Sequence, residues 1–242
     1  VVNGHKIWTT YAQVADYCEL LVRTDADAPK HKGISWLILP MDLPGIEVRP
    51  LKTLVGEGAF SEVFLTDVRV PVEARVGDEN DGWRVTNVTL RFERGTAFAS
   101  AIYSQQEFLQ EITAAAGRVT KHGASAAEDA SLRKEIGRLR AELDSLWALV
   151  KKGVSEVSGT GVPGIGGRAL KLLYAELDQR LGALALRVLG RAGLSREDVG
   201  GLPSRRFLAA ALKSLNLTIA AGTSQIQRNI IAERILGLPK ER

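Results

Sequence analysis

Two short segments of this 242-residue chain combine residue types that do chemistry. Lys6-Ile7-Trp8-Thr9-Thr10-Tyr11 ends a strand-like run with a large ring and two hydroxyls, a set suited to covering a planar heterocycle and hydrogen-bonding its edge. Ala220-Ala221-Gly222-Thr223-Ser224-Gln225-Ile226-Gln227-Arg228-Asn229 places Gly and then Thr/Ser directly before the amphipathic run Ile230–Ile235. That pattern is a helix N-terminus, where free backbone N–H groups and the helix dipole hold an anion or a carbonyl oxygen. Each segment alone also has a plain reading, since Trp and Thr are ordinary strand residues and Gly-Thr-Ser is an ordinary N-cap.

Other chemistries find no support. Gly159, Gly161, Gly164, Gly166 and Gly167 share the tract 158–167, but no Gly-Lys-Ser/Thr follows and no strand precedes, so the tract reads as a loop between helices. His5, His31 and His122 are scattered without metal-ligand spacing, so no metal is assigned. A Gly-x-Ser-x-Gly elbow is absent. Lys/Arg and Glu alternating over Leu132–Leu143 read as a solvated helix face with weak i, i+4 pairs, and nucleic-acid binding is the disfavoured alternative.

The elements that must position the two segments follow from periodicity. With 45% hydrophobic and 25% charged residues, the chain has the balance of a globular protein, and no apolar run approaches the roughly 18 residues of a membrane helix. A single cysteine, Cys18, makes no internal disulfide and points to a reducing, cytoplasmic setting. The opening Val1-Val2-Asn3-Gly4 carries neither an initiator Met nor a leader, as though it began inside a longer chain. Five of the eight prolines fall in residues 1–81, between runs that read as strands: 6–10, 18–24, 34–40, 46–50 and 62–70. After the loop 76–82 the period changes to three and four, predicting helices over 83–117, 126–157, 165–191, 204–219 and 224–235. The expected fold is therefore α+β and multi-domain. A small β-barrel or sandwich-like domain (1–81) precedes an antiparallel helical bundle (82–242). Charge divides at the same place: 8 Lys/Arg against 13 Asp/Glu (net −5) before residue 82, and 24 against 15 (net +9) after it. The basic half attracts polyphosphorylated ligands or nucleic acid.

Taken together, the segments resemble the acyl-CoA dehydrogenase family of flavoproteins. The matching stretches are Asn3–Thr10, Lys32-Gly33-Ile34-Ser35, Glu62–Pro71 and Gly222–Arg228, in the family's order. The resemblance covers the middle β domain, in part, and the C-terminal helical domain; the N-terminal helical domain and the opening of the β domain, with a flavin-binding loop, lie outside it. It implies α,β-dehydrogenation of an acyl-CoA thioester. A carboxylate removes the α-proton, the β-hydrogen leaves as hydride to N5 of FAD, and an electron-transfer flavoprotein reoxidises the flavin. By that resemblance Trp8 flanks the isoalloxazine, Thr9 and Thr10 lie beside it with Thr10 bonding near N5, and Thr223, Ser224 and Gln225 contact the flavin. The Ala221 N–H, next to Gly222, polarises the thioester carbonyl.

The chain departs from the family where most members carry the base. Their glutamate immediately precedes Gly-Thr; here that position is Ala221, which accepts no proton. A second family arrangement puts the base in a Glu-Arg pair on the first long helix of the C-terminal domain, and Phe92-Glu93-Arg94-Gly95 matches it. The expected base is Glu93, with Arg94 near the CoA or the subunit contact. A desolvated Glu93 would move its basicity towards the operating pH. The family's motifs that cross to a neighbour's flavin are altered: Arg118-Val-Thr-Lys-His-Gly123 lacks the Phe, and Arg187-Val-Leu-Gly190-Arg191-Ala-Gly193 has Arg for Gln and for one Gly. A homologous dehydrogenase subunit would then supply those contacts in an α2β2 assembly acting on a bulky, branched or long acyl chain, a steroid side chain among them. The alternatives are a non-catalytic subunit completing a partner's site and a nucleic-acid-binding member of the family.

Overall fold

The computed structural model describes residues 1–242 apart from 57, 94–96, 122, 162–165, 241 and 242, and it describes no side chains at 91–93, 97, 98, 160 and 166–168. The chain divides into two units, Val1–Arg91 and Phe92–Arg242.

The first unit is two antiparallel sheets. One is ordered β1 (Val2–Thr10), β5 (Phe60–Val68), β4 (Ile46–Pro50); the other β2 (Tyr17–Arg23), β3 (Ile34–Pro40), β6 (Arg75–Val76). Alternation along β5 buries Ser61, Val63 and Leu65 while Glu62 and Phe64 stay partly exposed, as a half-buried strand requires. Val63, Leu65 and Val68 meet Leu20 and Leu39 of the other sheet to form the core. β1 carries two irregularities against β5. At the first, between Val2 and Gly4, the Asn3 side chain pairs with Asp67: Oδ1 accepts from the Asp67 N–H at 2.8 Å and Nδ2 donates to Asp67 Oδ1 at 3.0 Å.

The Lys32–Ser35 stretch is architectural. A Cβ at Gly33 would lie 2.2 Å from the Asp25 carbonyl oxygen, so only glycine lets the 25–33 loop close against β3. Ser35 is fully buried; its hydroxyl pairs with that of Thr24 at 2.7 Å and accepts from the Asn80 N–H at 2.8 Å. This pins the chain entering α1 (Gly82–Glu93), where Trp83 stacks on His31 with centroids 3.9 Å apart.

The second unit is helical: α2 (Ala97–Arg118), α3 (Ala130–Thr160), α4 (Gly166–Leu189), α5 (Ser204–Leu217) and α6 (Ser224–Arg234), with a two-residue hairpin of β7 (Thr120–Lys121) and β8 (Ala124–Ser125) between α2 and α3. The stretch expected as one helix over 83–117 is described as α1 and α2, with 94–96 outside the described residues. The glycine tract is partly helical as well: α3 runs to Thr160 and ends on Gly161 in the left-handed conformation, because glycine at a C-terminus closes the last turn without a Cβ clash. α4 is the central helix and packs on α2, α3, α5 and α6. Ile112, Leu139, Leu143, Leu181, Leu184 and Phe207 form the middle of the core. Ion pairs tie the outside: Glu142 of α3 to Arg180 of α4, and Glu111 of α2 to Arg206 of α5.

Candidate functional site

In the β unit, Trp8, Thr9 and Thr10 end β1 at its second irregularity. Between the pairs Lys6↔Val63 and Thr9↔Ser61, β1 holds one residue more than β5, a bulge that re-aims side chains. Trp8 sits in it with φ of 64°, a left-handed conformation that costs a bulky L-residue about 1–2 kcal/mol. Its ring is 61% exposed, touching Phe60 edge-on at 5.8 Å between centroids. Thr9 is half-buried and Thr10 exposed. Tyr11, also left-handed at φ 54°, is exposed beside them. Strain that leaves two aromatic rings in solvent is a mark of a binding surface.

In the helical unit, Ala221-Gly222-Thr223 form the turn between α5 and α6. Ala221 has φ of 52° and Gly222 of 88°. Thr223 is the N-cap of α6, its Oγ1 accepting from the Ile226 N–H at 3.2 Å. The backbone N–H groups of Ala221, Gly222 and Thr223 have no acceptor among the described residues. Three consecutive free donors at a helix N-terminus form a site for a carbonyl oxygen or anion. Beneath them Ser224 Oγ and Gln227 Oε1 are buried without a partner among the described residues. Ala221 and Gln225 are exposed.

The turn is fixed from α4. Lys171 Nζ donates to the carbonyls of Gly222 (2.7 Å) and Leu217 (3.0 Å), Gln179 Nε2 to Thr218 Oγ1 (2.9 Å), and Glu176 pairs with Arg228 at 2.5 Å. From α6 itself, Gln227 Nε2 donates to the Ala221 carbonyl at 3.1 Å.

Trp8, Thr9 and Thr10 therefore share one strand end, and Ala221, Gly222, Thr223, Ser224 and Gln225 one turn. Glu93 is the last residue of α1; its side chain, and Arg94 altogether, lie outside the described residues. Gln227 lies within the matched stretch Gly222–Arg228 but was given no role there, and Lys171, which also carries the turn, reads as unremarkable in sequence. The available signal was position: Lys171 lies one and two turns before Ala175 and Asp178 on the face of α4 that enters the bundle.

Comparison with known proteins agrees with this architecture. Residues 1–68 match the family model for the acyl-CoA dehydrogenase middle domain, and residues 80–236 that for its C-terminal domain. Acyl-CoA dehydrogenase IpdE1 of Mycobacterium tuberculosis is 36% identical over 244 residues, all of this chain and 60% of that protein. Among solved structures, the Tcur3481-Tcur3483 steroid ACAD superimposes on the whole chain with a TM-score of 0.88 at 28% identity, covering 61% of its own chain. The ChsE4-ChsE5 complex from Mycobacterium tuberculosis gives 0.85 at 34% identity and 62%. The chain thus spans about three fifths of the length of these relatives. No helix among the described residues is long and apolar enough to cross a membrane. With both domain models matched in order along one chain, this protein belongs to the acyl-CoA dehydrogenase family.

Proposed function

We propose that this chain takes part in FAD-dependent α,β-dehydrogenation of an acyl-CoA thioester, with Glu93 as the base. The observation that carries the reading is the turn at Ala221–Thr223. It offers free N–H donors for a thioester carbonyl, while residue 221 has no group to take a proton. The residues present fit a flavin. Trp8 offers an exposed ring, Thr9 and Thr10 two hydroxyls, and Thr223, Ser224 and Gln225 polar groups at a helix N-terminus, the Ser224 hydroxyl without a partner among the described residues.

FAD, when bound, would supply the acceptor for the hydride that leaves the β-carbon. The chain's own residues do the rest. The Ala221 N–H, with its neighbours, holds the carbonyl oxygen as negative charge develops on it, which acidifies the α-C–H. The Glu93 carboxylate takes the α-proton, and Arg94 holds the CoA moiety or the subunit contact. The product is the α,β-unsaturated thioester, and an electron-transfer flavoprotein would be the final acceptor of the electrons.

The assembly we infer is a heteromer with a homologous dehydrogenase subunit, α2β2 with half the usual number of flavins, in the cytoplasm. Two observations support it. Two residues of the altered crossing motifs are engaged within their own unit, Arg118 donating to the Gly201 carbonyl and Arg187, which stands in place of Gln, to Ser131 Oγ, and two similar structures bear the names of paired proteins. The first of those names, a steroid ACAD, also favours a bulky acyl chain, a steroid side chain among them. The test is the full-length protein expressed alone and with candidate partner subunits, titrated anaerobically with acyl-CoAs of increasing bulk. Bleaching of the flavin absorbance by a bulky acyl-CoA in the paired preparation is expected. One tightly bound FAD per protomer in the chain expressed alone contradicts the heteromeric arrangement, and absence of bleaching under every pairing contradicts the activity.

A further inference from the structure

Lys171 is the sixth residue of α4 and only 4% exposed, and its buried neighbours on the helix are Leu170 and Ala175. A lysine there must place its polar head on an acceptor, and Nζ reaches two carbonyls at once: Leu217, the last residue of α5, and Gly222, in the middle of the turn. The consequence follows from the planar trans peptide, in which C=O and N–H point to opposite sides. With the Gly222 oxygen held on Lys171, the Thr223 N–H points away from it. With the Ala221 oxygen held on Gln227 Nε2, the Gly222 N–H points away from the Gln227 amide. A carbonyl that accepts a hydrogen bond also polarises its own amide, so the N–H on the far side becomes a stronger donor. The left-handed backbone at Ala221 persists only where surrounding contacts hold it, and these two side chains are such contacts.

We propose that Lys171 is a positioning residue for thioester activation. By anchoring the Leu217 and Gly222 carbonyls it holds the turn and keeps the Thr223 N–H aimed at the substrate carbonyl, with Gln227 as the second clamp doing the same for the Gly222 N–H; the role rests on the dehydrogenase reading above. Lys171 touches neither substrate nor reacting atoms and acts through the turn.

The test uses the full-length protein with a candidate partner subunit and the Lys171→Met variant, which keeps most of the side chain's apolar stem and removes its donors. Amide hydrogen exchange across 218–227 is expected to rise about tenfold at Ser224, Ile226 and Gln227, whose N–H groups are bonded within the segment. Exchange in α3 should stay unchanged. In turnover with the best acyl-CoA, kcat is expected to fall by about 10²-fold with KM little changed, because donors displaced by about an ångström lose transition-state stabilisation rather than substrate affinity. If Lys171→Met fails to fold, Gln227→Met removes the second clamp without touching α4 and carries the same two expectations. Unchanged exchange at these amides, or faster exchange with kcat intact, overturns the proposal. A parent protein inert towards every acyl-CoA removes the dehydrogenase reading, and with it the role in thioester activation. The exchange result then still decides whether Lys171 anchors the turn, which keeps the two failures distinguishable.

Discussion

The side-chain amide of Gln227 donates to the backbone carbonyl of Ala221, six residues earlier, at 3.1 Å, and closes the turn at the head of α6 from below. Gln227 is 1% exposed, so its amide has little room to move. A Cβ added at Gly222, whose φ is 88°, would stand 2.7 Å from that amide nitrogen. Gly222→Ala should therefore both strain the backbone and break the clamp. The expected cost is about 1–3 kcal/mol, seen as a lower midpoint in chemical denaturation, together with loss of substrate-dependent flavin bleaching. An alanine variant as stable and as active as the parent would show that the turn does not depend on glycine.

Trp8 offers a way to separate strain from function. Trp8→Gly relieves a left-handed conformation worth about 1–2 kcal/mol and gives up one edge contact with Phe60. Denaturation of the variant should consequently stay within about 1 kcal/mol of the parent. Retention of flavin through gel filtration should fall sharply, since the exposed ring is what the strain presents. Undiminished flavin content would place the isoalloxazine elsewhere.

Asp178 supplies a pH signature of the bundle. Burial pushes its carboxyl above the ordinary aspartate range, opposed by the hydrogen bond from Gln105 Nε2 (3.0 Å) and the charge of Lys213. A carboxyl raised in the folded state favours its neutral form. Its stabilising share is complete below the unfolded pKa, near 3.8, and is lost as pH rises through the higher folded value. Asp178→Asn keeps an oxygen for Gln105 and removes the buried charge. It should raise Tm at pH 7 and lose that advantage as the pH approaches 4. Differential scanning calorimetry at the two pH values decides it; an equal gain at both would mean that charge is not the cause.

Sequence periodicity located the five longer strands and most of the helical stretches, because alternation and the 3.6 repeat are imposed by burial and survive without tertiary information, but not the two-residue strands β6, β7 and β8. The α1 residues up to Arg91 group with the β unit for a reason that periodicity does not carry: His31, far away in sequence, stacks on Trp83, and Ser35 holds Asn80. Both motif segments of the candidate site were legible as residue types. What gives them their shape was not, since the left-handed φ at Trp8 and Ala221 belongs to residues that ordinarily avoid it. Lys171 was hidden for a related reason. The two partners that tie it to the turn are backbone carbonyls, which carry no residue identity to read.

The most direct test of the proposed dehydrogenation is Glu93→Gln in the full-length protein with a candidate partner subunit, mixed anaerobically with a bulky acyl-CoA and followed by flavin absorbance. The variant should fold, bind flavin and bind the thioester as the parent does, with bleaching abolished because an amide takes no proton. Bleaching at the parent's rate would remove Glu93 as the base, and with it the account of how a chain with alanine at position 221 performs this chemistry.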